Sequence, residues 1–135
     1  MTISVELEPG PEYWTLTLAG ELDYGECSVL RMHVDRILQS SPRAVVVDMS
    51  GLDYLDSSGL GLLLSLSREH GAQGGRLVLV SNPTVDGILQ MTRLSGIFTV
   101  APSLAEAGDL ISDPSIGTRT SATTPANGSE VAALS

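Results

Sequence analysis

Asp56-Ser57-Ser58-Gly59 is the stretch of this chain whose residue types and spacing could do chemistry. It stands between two apolar runs, Ala44-Val45-Val46-Val47 before it and Leu60-Gly61-Leu62-Leu63-Leu64 after it. The first run reads as a buried strand and the second as the body of a helix. The loop from strand end to helix start is where α/β proteins place ligands and reacting groups, because the free amides there carry partial positive charge. The plainest reading makes Asp56 or Ser57 the helix cap and Ser58 a polar residue of the first turn. The sharper readings make Ser58 a nucleophile or a hydroxyl shown to a partner.

A nucleophilic serine needs a base within hydrogen-bond reach and a third group to orient that base. The histidines are His33 and His70. His70 follows about three turns along the same helix, roughly 18 Å away by helical rise, and His33 falls inside another helical pattern. The Gly-x-Ser-x-Gly elbow is absent as well. An exposed hydroxyl without a base is a better substrate than a catalyst, so no enzymatic activity is expected. At roughly 100° per residue, Leu60, Leu63, Leu64 and Ser67 should face the core, and Ser58, Leu62, Ser65 and Glu69 should face solvent. The wheel thus predicts an accessible Ser58 beside an exposed Leu62, with Gly61 leaving the backbone open, which suits a docking surface.

Other candidates carry less. Asp23 is placed to cap the first helix. Asp48, Asp53 and Asp56 could be imagined around a magnesium ion, since hard cations take carboxylate oxygens, but only sequence proximity links them and no metal or cofactor is expected. Cys27 lies on an apolar helical stripe and reads as a small core residue. Gly74-Gly75 is a turn with no phosphate-loop Lys or Ser/Thr after it.

The elements that must position the serines follow from periodicity. Ile3, Val5 and Leu7 alternate with polar residues, as do Trp14, Leu16 and Leu18, and Pro9-Gly10-Pro11 turns the chain between them. Two strands and a hairpin are predicted, the second strand closing at Gly20. Helical spacing predicts a helix over about 24–39, then a strand over 43–48 covered on both faces. A helix from the serine stretch to about His70, a strand over 76–80, a helix capped by Asn82-Pro83, a strand over 97–100 and a helix from Pro102 to about Ile111 complete the order. A hairpin followed by helix-strand alternation implies an α/β fold: one domain with a mixed sheet of about five strands and about four helices packed against it. From Ser112 onward the composition turns to Ser, Thr, Ala, Pro and Gly, so residues 112–135 are expected to be a disordered tail.

Bulk properties narrow the partners. A length of 135 residues allows one domain. The net charge of -9 and the absence of lysine argue against direct nucleic-acid binding, which requires phosphate neutralisation. A basic or neutral partner surface is expected. One cysteine excludes an intrachain disulfide, and no run approaches a membrane span or a signal peptide, so a cytoplasmic protein is expected.

The stretch from Leu52 through Asp56-Ser57-Ser58-Gly59 to Leu64 resembles the signature of the STAS family, the anti-sigma factor antagonists. Gly20-Glu21-Leu22-Asp23 resembles that family's second marker, and the element order agrees over residues 3–111. The resemblance implies partner switching. The unmodified protein would bind an anti-sigma factor with serine kinase activity and release a sigma factor. The kinase would phosphorylate the second hydroxyl of the motif, here Ser58, and the modified form would let go. A serine phosphatase of the metal-dependent class would reset it. The resemblance places Asp23, Asp56, Ser57, Ser58, Gly59, Gly61 and Leu62 at the partner surface. An alternative within the family is a scaffold subunit of a signalling assembly or a partner of a membrane transporter. A helix start is expected to favour an added phosphate by about 1 kcal/mol.

Overall fold

Alternation builds the first two strands. β1 (Ile3–Glu8) turns Ser4, Glu6 and Glu8 to solvent, and β2 (Trp14–Leu22) buries Leu16, Leu18 and Leu22 completely. They pair antiparallel, from Ile3 opposite Gly20 to Glu8 opposite Thr15. The computed structural model describes residues 2–112. Ser112 ends a helix, and the rest of the expected tail lies outside the described residues.

β2 does not stop at Gly20. That residue takes φ of 99°, and a Cβ there would sit 2.6 Å from the Thr2 carbonyl oxygen, so glycine lets the strand kink and continue to Leu22. β3 (Ala44–Leu55) is likewise longer than the expected 43–48. Its second half pairs with the extension of β2, Glu21 opposite Tyr54 and Leu22 opposite Leu55. The serine motif therefore begins directly at a strand end, without an intervening loop.

β3 runs parallel to β2 on one side and to β4 (Arg76–Val80) on the other, and β4 is parallel to β5 (Thr99–Ala101). The order across the sheet is β1-β2-β3-β4-β5. Parallel neighbours need crossovers, and α1 (Cys27–Ser40), α2 (Ser57–Ala72) and α3 (Pro83–Met91) supply them. Leu30, Val34 and Ile37 of α1, Leu63 and Leu66 of α2, and Val85 and Leu89 of α3 join one core with Val45, Val47 and Leu79 of the sheet. Val46, Val78, Val80 and Ala101 form a second core on the opposite face, under Ala107 of α4 (Leu104–Ser112). Consecutive valines in β3 thus go to alternate faces, both dry, as expected of a strand covered on both sides.

Three further boundaries differ from expectation. Residues 24–26 form a 3-10 turn before α1, because Asp23 accepts from the Glu26 amide at 3.1 Å. Phe98 leaves the last strand to plug the first core, so β5 starts at Thr99. α4 starts two residues after Pro102, with the Ser103 hydroxyl accepting from the Glu106 amide at 3.2 Å.

Candidate functional site

The Asp56 carboxylate organises the site. One oxygen, Oδ1, accepts from the Ser58 and Gly59 amides, each at 3.0 Å, and so caps α2. The other, Oδ2, accepts from the Tyr24 amide at 3.0 Å. The Asp56 amide itself donates to the Leu22 carbonyl at 3.1 Å. One residue thereby ties the start of α2 to the 3-10 turn that opens α1, bringing together Asp23, Asp56 and the two serines. The capping role was readable in the sequence. The bond to Tyr24 spans 32 residues and was not, since no local pattern encodes it.

The helical-wheel expectation is corrected. Leu62 is 5% exposed and belongs to the main core. Ser57 and Gly61 are exposed, and Ser58 is half-buried. The buried residues of α2 are Gly59, Leu60, Leu62, Leu63, Leu66 and His70, so Leu60 and Leu63 face the core as expected, while Leu64 and Ser67 are only half-buried. Leucines surround this helix, so periodicity left its rotation open. Gly59 fixes it: a Cβ there would lie 2.6 Å and 2.8 Å from Leu22 side-chain atoms and 2.9 Å from Leu55 Cδ1. The helix start can approach the sheet only with glycine facing inward. A Cβ at Gly61 would meet nothing within 4 Å. Of the expected surface residues, Leu62 and Gly59 lie beneath the others and shape the surface from below.

Neighbouring groups hold this corner still. Asn82 caps α3 by accepting from the Val85 amide at 2.8 Å. Its Nδ2 faces the carbonyls of Met49, Ser50 and Leu52 at 3.2, 3.1 and 2.8 Å, clamping the β3 extension that leads to Asp56. The cap was legible, the clamp was not. At the far end of α2, Gln73 donates to the Leu38 carbonyl at 3.0 Å. The fully buried His70 places Nε2 2.7 Å from the Pro42 carbonyl. A carbonyl only accepts, so Nε2 carries the proton and His70 serves as a structural donor. α1 and α2 are therefore fastened to one another or to their flanking loops at both ends.

Burial pushes the Cys27 thiol above its usual range, and the Asp56 and Asp23 carboxylates add to that while Arg31 opposes it. A protonated thiol is a poor nucleophile. Asp48 accepts from the amide and hydroxyl of Ser50 at 3.0 and 2.7 Å. Among the described residues no three His, Cys, Asp or Glu side chains gather to hold a metal, and no helix is long and apolar enough to cross a membrane.

Comparison with known proteins agrees with this architecture. The STAS domain family model matches residues 3–107. An anti-sigma F factor antagonist of Paenibacillus polymyxa is 31% identical over 104 residues, covering 76% of this chain and 86% of that protein. The crystal structure of an anti-sigma factor antagonist from Mycobacterium paratuberculosis superposes with a TM-score of 0.77 at 25% identity, over 83% of this chain and 96% of that one. The Bacillus cell fate determinant SpoIIAA in its phosphorylated form is 29% identical, with a TM-score of 0.63 over 80% of this chain and 99% of that one. The five-stranded mixed sheet with four helices is the SpoIIAA-like fold. The chain belongs to the STAS domain family, and the relatives it resembles are anti-sigma factor antagonists.

Proposed function

We propose that this protein is a non-enzymatic anti-sigma factor antagonist of the cytoplasm, switched by phosphorylation of Ser58. The unmodified chain binds an anti-sigma factor that is itself a serine kinase, and the sigma factor is released. Phosphorylation ends the binding, and a metal-dependent serine phosphatase restores it. The observation that carries this reading is the Asp56 cap, which holds the Ser58 amide at 3.0 Å and keeps that serine at the edge of an exposed helix start. The SpoIIAA relative, known in phosphorylated and unphosphorylated forms, supports a modified hydroxyl on this fold.

The energetics favour action on binding. Phosphate adds about -1.5 to -2 charge. At a closed interface that charge must lose its water, and an uncompensated buried charge costs several kcal/mol. About 4 kcal/mol already changes affinity a thousandfold. Asp23, Asp56, Ser57 and Gly61 contribute the rest of the surface, on the support that Gly59 and Leu62 give from beneath.

The test is phosphorylation by the kinase with ATP, followed by mass spectrometry. The wild-type chain gains one phosphate on Ser58, and Ser58→Ala gains none. Ser58→Asp loses affinity while its circular dichroism spectrum stays that of the folded chain. Phosphate on the more exposed Ser57 refutes the site, and failure of the unmodified chain to bind an anti-sigma factor refutes the function.

A further inference from the structure

The chain holds one tryptophan, three tyrosines and one phenylalanine, and their exposure divides sharply. Phe98 is buried, Tyr13 packs on the second core, and half-buried Trp14 lies under the Arg36 guanidinium, 5.9 Å from the ring centroid. The other two are open to solvent, Tyr24 at 81% and Tyr54 at 42%. Both bracket Asp56. Tyr24 gives its amide to the Asp56 carboxylate at 3.0 Å, and Tyr54 precedes Asp56 by two residues at the end of β3.

Acidic side chains accompany them. Glu21 is the cross-strand partner of Tyr54, Asp23 and Glu26 flank Tyr24, and Asp53 is exposed beside Tyr54. The anchoring matters as much as the exposure. Tyr24 hangs from a backbone pinned to the start of α2, and Tyr54 from a strand paired on β2, so neither backbone must be ordered on binding. Tyrosine adds large contact area for few rotatable bonds and is enriched where binding energy concentrates. A standard interface covers about 800 Å² on each partner, a patch roughly 30 Å across. The backbones of both tyrosines lie well inside such a patch centred on Asp56, since two strand residues span only about 7 Å and the Tyr24 amide is 3.0 Å from the Asp56 carboxylate.

We infer that Tyr24 and Tyr54 are the apolar anchors of the interface around the serine switch, and that the partner meets them with apolar pockets rimmed by lysine or arginine. This rests on the function proposed above and names the partner surface that the function requires. The acidic rim speeds encounter with a basic partner, and the rings supply the affinity.

Calorimetric titration tests it with the full unmodified chain and the purified anti-sigma factor kinase from the same organism. Tyr24→Ala and Tyr54→Ala each weaken binding by about tenfold or more, as expected of interface anchors. Tyr24→Phe and Tyr54→Phe keep the ring and keep the binding. Met91→Ala, at an 85% exposed apolar residue that closes α3, binds like wild type. Circular dichroism confirms that each variant is folded. If wild type binds and Ser58→Asp does not, but both alanine variants match wild type, the anchors are refuted and the switch stands. Equal weakening by Met91→Ala also refutes them. No binding by wild type overturns the anchors together with the proposed function.

Discussion

Gly59 and Gly61 stand two residues apart on α2 and answer to different constraints. Gly59 lies against Leu22 and Leu55 with no room for a Cβ, so Gly59→Ala forces the start of α2 off the sheet. The expected cost is about 1–3 kcal/mol, as for overpacking elsewhere, read from urea unfolding. Gly61 has open space above it, so Gly61→Ala leaves stability unchanged or raises it by up to about 1 kcal/mol through helix propensity. If Gly61 faces the partner as proposed, the effect falls on binding, where the added methyl stands between partner and backbone. Equal destabilisation by the two substitutions would contradict this division. In the sequence both were glycines of one motif, and their opposite surroundings became visible only with Leu22 in place. Asp56 was half legible for the same reason: its cap is local, and its bond to Tyr24 depends on how two distant helix starts converge.

Among the described helices, α4 covers the second core, packing Ala107, Leu110 and Ile111 against it, and one side chain of β4 fastens its C-terminal end. The Arg76 guanidinium donates to the carbonyls of Leu110 and Ile111 at 2.7 and 3.1 Å, satisfying groups that a helix C-terminus leaves free. Arg76→Ala should cost about 1.5–3 kcal/mol, the range for hydrogen bonds from charged groups. Hydrogen exchange should then quicken in α4 and β5 while α1 and α2 keep their protection. Uniform loss of protection would refute the local hold. Element order was readable because valine runs, alternating strands and capping residues each have a local physical cause. The rotation of α2 was not, since Leu60, Leu62, Leu63, Leu64 and Leu66 leave no polar side to orient it. The second half of β3 was missed because Ser50, Gly51 and Asp53 are poor strand residues, held in place by β2 and by the Asn82 side chain.

For the whole molecule, β1 lies at one edge of the sheet, and an open edge invites pairing with another chain. Glu6 and Glu8 point to solvent there, and a second copy aligned on this edge would bring like charges together. Replacing both, Glu6→Val with Glu8→Val, should shift the purified protein to dimers or larger species in light scattering. An unchanged monomer mass would show that the edge is guarded by something else. The same excess of negative charge bears on the proposed switch. A phosphoryl group on Ser58 arrives at a helix whose Ser58 and Gly59 amides already belong to Asp56, so the 1 kcal/mol welcome expected of a bare helix start is not on offer. The mark stays legible from outside, as a change in the electric field that an approaching protein meets before any contact is made.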